Sequence, residues 1–252
     1  MSKVLVTGGA GFIGSHLVDR LVELGHQVVV VDNLSTGRLS NLNGFAKLYE
    51  MNIEDKKLAD VFDAERPEIV FHMAAQISVT ASFKDIIKDG NANIIASLNV
   101  LEQCVKFGVK KIIFSSSAAV YGDNPELPLR EDHVPAPASP YAISKLTTEE
   151  YIKLFHKQHK LGYTILRYAN VYGPRQTADG EAGVISIFID RLLKGQQPTI
   201  TGDGNQTRDF VFVQDVVSAN VAAMNSDKSG IYNVSTNSQV KINELYSTLR
   251  QL

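Results

Sequence analysis

Two overlapping glycine triplets lie near the start of the chain. Gly9-x-Gly11-x-x-Gly14 and Gly8-x-x-Gly11-x-x-Gly14 share the segment Thr7-Gly8-Gly9-Ala10-Gly11-Phe12-Ile13-Gly14, where an apolar run gives way to a helical pattern. Glycines there permit a tight turn and let the backbone approach a pyrophosphate, which sits at the positive end of the helix dipole. A glycine triplet alone also describes an ordinary strand-to-helix turn. Asp32 separates the two readings, because it closes the next predicted strand, about 20 residues further on, where a carboxylate hydrogen-bonds an adenosine ribose. The turn therefore predicts dinucleotide binding. The same carboxylate repels a ribose 2′-phosphate and favours NAD over NADP; Arg38 nearby is the residue that opposes this preference.

The second constellation is Ser115-Ser116-Ser117 together with Tyr141-Ala-Ile-Ser-Lys145. Residues four apart share a helix face, so the phenol and the ammonium project together. Such a pair serves proton transfer to or from an alcohol or sugar hydroxyl alongside hydride transfer. A phenol with a pKa of about 10 is a poor base at neutral pH. A neighbouring ammonium and a positive nicotinamide ring favour the phenolate, and a serine hydroxyl can hydrogen-bond the same oxygen. In isolation Tyr-x-x-x-Lys occurs often by chance, and a serine run also simply ends a strand. Placed behind a dinucleotide-binding half, the set reads as catalytic.

Around these motifs, short β-branched apolar runs alternate with amphipathic stretches, the pattern of parallel β-α-β units. Strands are predicted at 4–7, 27–32, 46–51, 69–72, 111–115 and 163–168, and helices at 13–24, 58–64, 92–107 and 141–160. Pro125, Pro128, Pro135, Pro137 and Pro140 make 121–140 a loop, which ends with Ser139 as N-cap and Pro140 as first helical residue. After Ala169 the periodicity becomes irregular, with loops at 173–183 and 201–209. The fold class expected is α/β: a Rossmann-like, doubly wound parallel sheet over 1–170. A smaller substrate-binding lobe over 171–252 returns some strands and helices to the first domain. Ligands are expected in the cleft beyond the carboxyl ends of the strands.

Composition sets limits on function. The 252 residues are 44% hydrophobic with a net charge of −2, so neither a disordered chain nor a basic nucleic-acid footprint is indicated. No apolar run approaches the roughly 20 residues of a membrane span. No leader precedes Val4-Leu5-Val6, and the single Cys104 suits a reducing compartment, so the expected setting is cytoplasmic. Cys104 reads as a buried hydrophobe rather than a nucleophile. His72 reads as packing, and His133, His156 and His159 as solvated. Asn91 reads as a tie between loops or a cofactor contact. No His, Cys and carboxylate set has metal-ligand spacing, so no metal is expected.

Further segments point to a family. Phe71-His72-Met73-Ala74-Ala75, Phe114-Ser-Ser-Ser-Ala-Ala-Val-Tyr121-Gly122, Pro140-Tyr-Ala-Ile-Ser-Lys145 and Leu166-Arg-Tyr-Ala-Asn-Val-Tyr-Gly-Pro-Arg-Gln176 follow the glycine turn in order. Together they resemble the extended short-chain dehydrogenase/reductases that act on nucleotide sugars, most closely the UDP-glucose 4-epimerases. The resemblance implies NAD as cofactor, Tyr141 as acid/base, Lys145 as its partner and ribose ligand, and Ser117 as the hydroxyl on the sugar oxygen. It implies cofactor contacts from Gly8, Gly11, Phe12, Ile13, Gly14, Asp32, Asn33, Ser35, Asn52, Ile53, Ala74, Ala75, Gln76, Ser115 and Tyr168. Asn52-Ile53 stands where the family has Asp-Ile beside the adenine, and an amide can also bond that base. On the UDP-sugar side it implies Asn170 and Arg208 as diphosphate ligands, and a uridine wall of Val184, Ile185 and Phe188 with a strand carrying Thr199 and Ile200.

Ala118-Ala119 offers no carboxylate for the elimination that sugar-nucleotide dehydratases perform, so C4 epimerisation of a UDP-sugar, UDP-glucose/UDP-galactose first, is the leading expectation. The alternatives are a 4-epimerase of UDP-N-acetylhexosamines or UDP-uronic acids, a 4-reductase, and an NAD-binding regulator without catalysis. The helices at 92–107 and 141–160 resemble those that form the family's dimer interface, which implies a homodimer. Against the family the chain looks truncated, ending in an amphipathic helix with Ile242, Leu245 and Leu249 on one face.

Overall fold

The computed structural model describes residues 1–178 and 183–251. Residues 179–182, within the loop expected at 173–183, and Leu252 lie outside the described residues. In chain order the first half comprises β1 (Lys3–Thr7), α1 (Phe12–Glu23), β2 (Gln27–Asp32), β3 (Lys47–Glu50), α2 (Leu58–Glu65), β4 (Ile69–His72), α3 (Val79–Lys84), α4 (Ile86–Gly90), α5 (Ala96–Lys106) and β5 (Lys111–Ser117). The second half comprises α6 (Pro140–His159), β6 (Gly162–Tyr168), β7 (Asn170–Tyr172), α7 (Val184–Leu193), β8 (Thr207–Arg208), β9 (Phe210–Phe212), α8 (Val213–Asn225), β10 (Gly230–Val234), β11 (Val240–Lys241) and α9 (Ile242–Gln251).

Seven parallel strands form one sheet in the order β3-β2-β1-β4-β5-β6-β10. Successive side chains on a strand point to opposite faces, which divides the apolar runs between two cores. Val4, Val6, Val28 and Val30 pack with α1 and α8, whereas Leu5, Val29 and Val31 pack with α2, α5 and α6. Both faces are covered, which is why these runs are continuously apolar. The chain leaves β1 toward β2 and β3, then crosses back to β4, β5 and β6. The loops after β1 and β4 therefore diverge at a topological switch point, where doubly wound sheets bind ligands.

All six predicted strands are present, within two residues of their expected bounds. The irregular tail nevertheless hides two members of the main layers. Strand β10 pairs with β6 at the edge, and α8 packs beside α1. Helix α8 carries an amide at a core position: Asn220 is fully buried, where it donates to the Tyr168 hydroxyl and to the Val216 carbonyl, each at 2.8 Å. Lys111 fixes the end of that helix, donating to the carbonyls of Ala223 and Ser226 at 2.6 Å each.

Three local expectations need correction. The predicted helix at 92–107 is split, with a π-helical turn over Asn91–Ile95 before α5. Residues 198–200 form no strand; Gly195 ends α7 at a φ of +67°, Pro198 has no N–H to give a ladder, and no described strand runs beside them. His133 and His156 are not solvated. The side chain of His133 is only 16% exposed, and His156 sits edge-on to Tyr163 with its Nδ1 2.9 Å from the Leu161 carbonyl. Cys104 is fully buried, as expected, and burial pushes its thiol pKa up.

Glu65 closes the far edge of the sheet. Its carboxylate accepts from Lys47 at 2.6 Å, Tyr49 at 2.7 Å and Lys3 at 3.0 Å. These bonds, that from Lys47 foremost, hold its pKa down at about 2 against an ordinary 4.5. A depressed carboxylate stabilises the fold above its unfolded pKa and loses that contribution as the pH falls toward the folded value. Glu65→Gln is therefore predicted to cost about 2 kcal/mol at pH 7 and to flatten the decline in stability between pH 5 and about 2. Urea unfolding across that range measures both; an unchanged pH profile contradicts the assignment.

Candidate active site

The glycine turn is built as its residue types require. Gly8 has φ +71°, and a Cβ there would stand 2.7 Å from the Ala74 nitrogen, so the loop after β4 lies directly on it. A Cβ on Gly14 would meet the Gly8 carbonyl at 2.1 Å. Helix α1 begins at Phe12 with no side chain capping its first turn and no acidic residue in it. Its leading amides and the helix dipole thus present an uncapped positive end to the cleft, which fits a pyrophosphate. Asp32 is 7% exposed, and its two oxygens accept from the backbone N–H groups of Ala10 (2.9 Å) and Leu34 (2.8 Å). It locks the glycine turn to the end of β2 and retains lone pairs for a ribose. Beside it, Ser35 N donates to Asn33 Oδ1 at 3.0 Å, which turns the Asn33 amide so that Nδ2 donates to Asn52 Oδ1 at 2.6 Å. Asn33, Ser35 and Asn52 are exposed at the rim, and Ile53 lies buried below.

A buried chain of hydrogen bonds runs from this turn to α6, and its direction follows from its donors. Thr7 Oγ1 accepts the backbone N–H groups of Met73 and Ala74 at 3.1 Å each, so its own proton goes to His72 Nδ1 at 2.7 Å. His72 Nε2–H then donates to Ser97 Oγ at 2.8 Å, and Ser97 donates to the Asn93 carbonyl at 2.5 Å. Burial, with a smaller push from the charge of Lys145, drives the His72 pKa down to about 3, so the ring stays neutral. The Asn93 side chain accepts from Gln76 N at 2.8 Å and donates to the Gln76 carbonyl at 2.9 Å and to Ser144 Oγ at 3.1 Å. This fixes the loop carrying Ala74, Ala75 and Gln76 against the start of α6. The loop tie expected at Asn91 is therefore made two residues later, because on the π-helical turn Asn93 faces inward while Asn91 is exposed.

Ser139 caps α6 by accepting from Ala142 N at 3.1 Å, with Pro140 as the first helical residue. Tyr141 and Lys145 then face the end of β5. The Lys145 ammonium donates to the Ser115 carbonyl at 2.8 Å and stands 4.9 Å from the Phe114 ring centre and 5.9 Å from that of Tyr141. Burial pushes the Tyr141 pKa up to about 12, and a hydrogen bond with Ser117 pulls the other way. Burial pushes the Lys145 pKa down to about 8, against the raising fields of Asp89 and Glu149. Beneath the pair, Glu149 and Arg167 form a fully buried bidentate ion pair at 3.0 and 2.6 Å, and Ser116 donates to the same carboxylate at 2.5 Å. The middle serine of the run is thereby bound to the helix, leaving Ser117 for the phenol.

The substrate-side residues divide into two groups. Asn170 and Arg208 are both exposed, and β7–β9 pairing brings the Asn170 backbone onto Asp209, the residue after Arg208. The Asp209 carbonyl accepts from Asn170 N and Nδ2, and its carboxylate accepts from Thr236 and Ser238 N. Val184, Ile185 and Phe188 lie on α7, but Phe188 is 2% exposed and packs edge-on against Tyr246 of α9 at 6.0 Å. Phe188 is thus core of the small lobe, not wall. Thr199 and Ile200 sit in the unpaired segment after α7. Tyr168 is buried beneath the cleft, its hydroxyl taken by Asn220. Sequence reasoning missed Asp89, Asn93 and Glu149, whose only signal is a polar residue on the buried side of a helix.

Comparison with known proteins agrees with this geometry. The model of the NAD dependent epimerase/dehydratase family matches residues 4–235. A putative UDP-glucose 4-epimerase of Methanocaldococcus jannaschii is 49% identical over 248 residues, 98% of this chain and 81% of that protein. The crystal structure of a UDP-glucose 4-epimerase from Thermotoga maritima, solved with UDP-glucose, matches with a TM-score of 0.97 at 49% identity, covering 99% of this chain and 82% of the other. A Thermus thermophilus UDP-glucose 4-epimerase solved with NAD matches at 0.95 and 41% identity, covering 99% and 82%. The chain belongs to the NAD-dependent epimerase/dehydratase family.

Proposed function

We propose that the protein interconverts the C4 epimers of a UDP-sugar, with UDP-glucose and UDP-galactose as the pair, using bound NAD. The observation that carries this reading is the convergence of Ser117, Tyr141 and Lys145 at the carboxyl end of β5, the strand next to β4 in the sheet. The residues suited to hold NAD are the α1 amides from Phe12 to Gly14, Asp32, Asn33, Ser35, Asn52 and Ile53 on the adenosine side. Ala74, Ala75, Gln76, Ser115, Lys145 and Tyr168 serve the nicotinamide side. When bound, the nicotinamide supplies the hydride acceptor and donor for C4 and a positive charge near the phenol.

The chain's own groups do the rest. Tyr141, with its pKa pushed up to about 12, holds its proton in the resting protein. It takes the C4 hydroxyl proton only as positive charge gathers beside it, and Lys145 is the resident source of that charge. Ser117 orients the same sugar oxygen. The proton returns from Tyr141 once the 4-keto sugar has turned its other face. Asn170 and Arg208 bind the diphosphate, where a guanidinium matches phosphate geometry. The turn after Ser117 carries Ala118 and Ala119, so no acid or base stands there to eliminate water, and simple return of hydride at C4 is supported. The division at 1–170 and 171–252 into cofactor and substrate regions is part of this proposal.

A homodimer and a cytoplasmic setting belong to it as well. Exposed Ile86, Ile87, Ile95, Ile143 and Leu154 cluster on the touching elements α4, the π-helical turn and α6, an apolar surface suited to a second copy. The buried free thiol of Cys104 suits a reducing compartment. No helix among the described residues is long and apolar enough to cross a membrane.

Three outcomes are predicted. Purified protein supplied with NAD converts UDP-galactose to UDP-glucose, and Tyr141→Phe lowers kcat about 100- to 10,000-fold while the NAD affinity measured by calorimetry holds; absence of conversion by NAD-loaded wild type overturns the function. Like-charge repulsion by Asp32 makes NADP bind at least about 10-fold more weakly than NAD, and Asp32→Ala narrows that gap; equal affinities in the wild type refute the assignment. Sedimentation gives twice the chain mass for wild type and the single mass for the double variant Ile143→Asp, Leu154→Asp. A monomeric wild type removes the dimer.

A further inference from the structure

Asp89, on α4, is 2% exposed and is named by neither sequence motif. Its Oδ1 accepts from Gln76 Nε2 at 2.8 Å and from Asn93 Nδ2 at 3.1 Å. Both donors are neutral amides. A buried carboxylate so placed is costly unless a cation lies near it. Lys145 has the complementary problem, being 3% exposed with its ammonium on a backbone carbonyl and an aromatic face. Two buried charges of opposite sign thus each rest on neutral partners. Asn93 Nδ2 joins them, donating at 3.1 Å both to Asp89 and to Ser144, the residue before Lys145.

We propose that Asp89 is a positioning residue for the proton-transfer pair: its buried charge keeps Lys145 protonated, and its hydrogen bonds set the Asn93 and Gln76 amides that tie the loop after β4 to α6. This rests on the reading of Tyr141 and Lys145 as that pair. The amide orientations are consistent throughout. Gln76 donates through Nε2 to Asp89 and to the Ser78 carbonyl while Oε1 accepts from Ser78 N. Asn93 donates through Nδ2 and accepts through Oδ1. A carboxylate at position 89, an acceptor only, forces both.

The charged neighbours are few. Helix α6 brings Tyr141, Lys145 and Glu149 toward α4, the last already paired with Arg167. The π-helical turn brings none, α3 brings Lys84, which is exposed, and on α4 itself stand the exposed Lys88 and, one turn before Asp89, the exposed N-cap carboxylate of Asp85, which accepts from Lys88 N. His72 below is neutral. The field of Asp89 raises the pKa of both Tyr141 and Lys145, so its removal must lower both.

Asp89→Asn isolates the charge, since both hydrogen bonds end on one oxygen that the amide retains. The test is a 15N NMR titration of the Lys145 Nζ, assigned by its loss in Lys145→Arg, in wild type and Asp89→Asn. The expected result is a Lys145 pKa lower in the variant by on the order of one pH unit, the size of a nearby unit charge's effect at the effective dielectric of a protein interior. In the same variant both limbs of the pH–rate profile move to lower pH. An unmoved Lys145 titration, or a profile that loses height without shifting, overturns the proposal. Should Asp89→Asn not fold alone, thermal unfolding in a Lys145→Met background decides: there Asp89→Asn raises Tm, and an equal loss in both backgrounds overturns it. The titration needs no turnover, so an inactive wild type sinks the functional reading and leaves this one separately judged.

Discussion

Beyond the carboxyl edge of a parallel sheet the backbone ladder ends, and the loops that leave neighbouring strands have nothing in common to hold them in register. Here the register is kept by buried side chains. Thr7 receives two amides of the loop after β4 and passes its proton to His72, which passes one to Ser97 and so to Asn93. Asn93 clasps Gln76 by both its backbone groups and reaches Ser144 on α6. The hydroxyl and ring protons of Thr7, His72 and Ser97 each have one acceptor, so the chain has a single consistent direction. A satisfied buried network of this kind rigidifies its surroundings, whereas one missing partner leaves polar groups stranded. The glycine turn, the loop beside it and the helix carrying Tyr141 and Lys145 are therefore tied into one hydrogen-bonded unit.

A second buried anchor, Glu149 with Arg167 and Ser116, fixes α6 to β5 and β6 one turn beyond Lys145. The two anchors tie the same helix to different elements, Ser144 and Thr148 to Asn93 and Glu149 to β5 and β6. Between them the phenol and the ammonium are held largely stripped of water, and burial pushes each toward its own neutral form, the Tyr141 pKa up and the Lys145 pKa down. The resting site is thus biased toward protonated tyrosine, a state that changes only when charge is brought in.

Much of this was legible in the residues. The apolar runs at 27–32 and 69–72 became strands at the predicted bounds, since side chains buried on both faces leave an unbroken apolar signature. Ser139 and Pro140 marked the start of α6 to the residue. The glycine turn declared itself through positions where a Cβ has no room. What stayed hidden was polar and buried. Asp89, Asn93 and Glu149 sit on helices where a sequence shows only a hydrophilic letter, and nothing local distinguishes an inward amide from an outward one. Asn91 was the better-looking candidate at the helix start, and the π-helical turn rotated the role onto Asn93. Strand β10 escaped because an edge strand is half-exposed and lacks the continuous apolar run. The wall assigned to Phe188 failed for a related reason, as an amphipathic helix does not reveal which neighbour its apolar face meets.

The central claim is that a hydride leaves C4 and returns to the same carbon without leaving the site. It is tested most directly by supplying UDP-galactose deuterated at C4 to the purified protein and locating the label in the product by NMR and mass spectrometry. UDP-glucose with deuterium retained at C4 is expected, in ordinary water and with unlabelled NADH in solution. Loss of the label from C4, or no UDP-glucose at all from NAD-loaded protein, would contradict it.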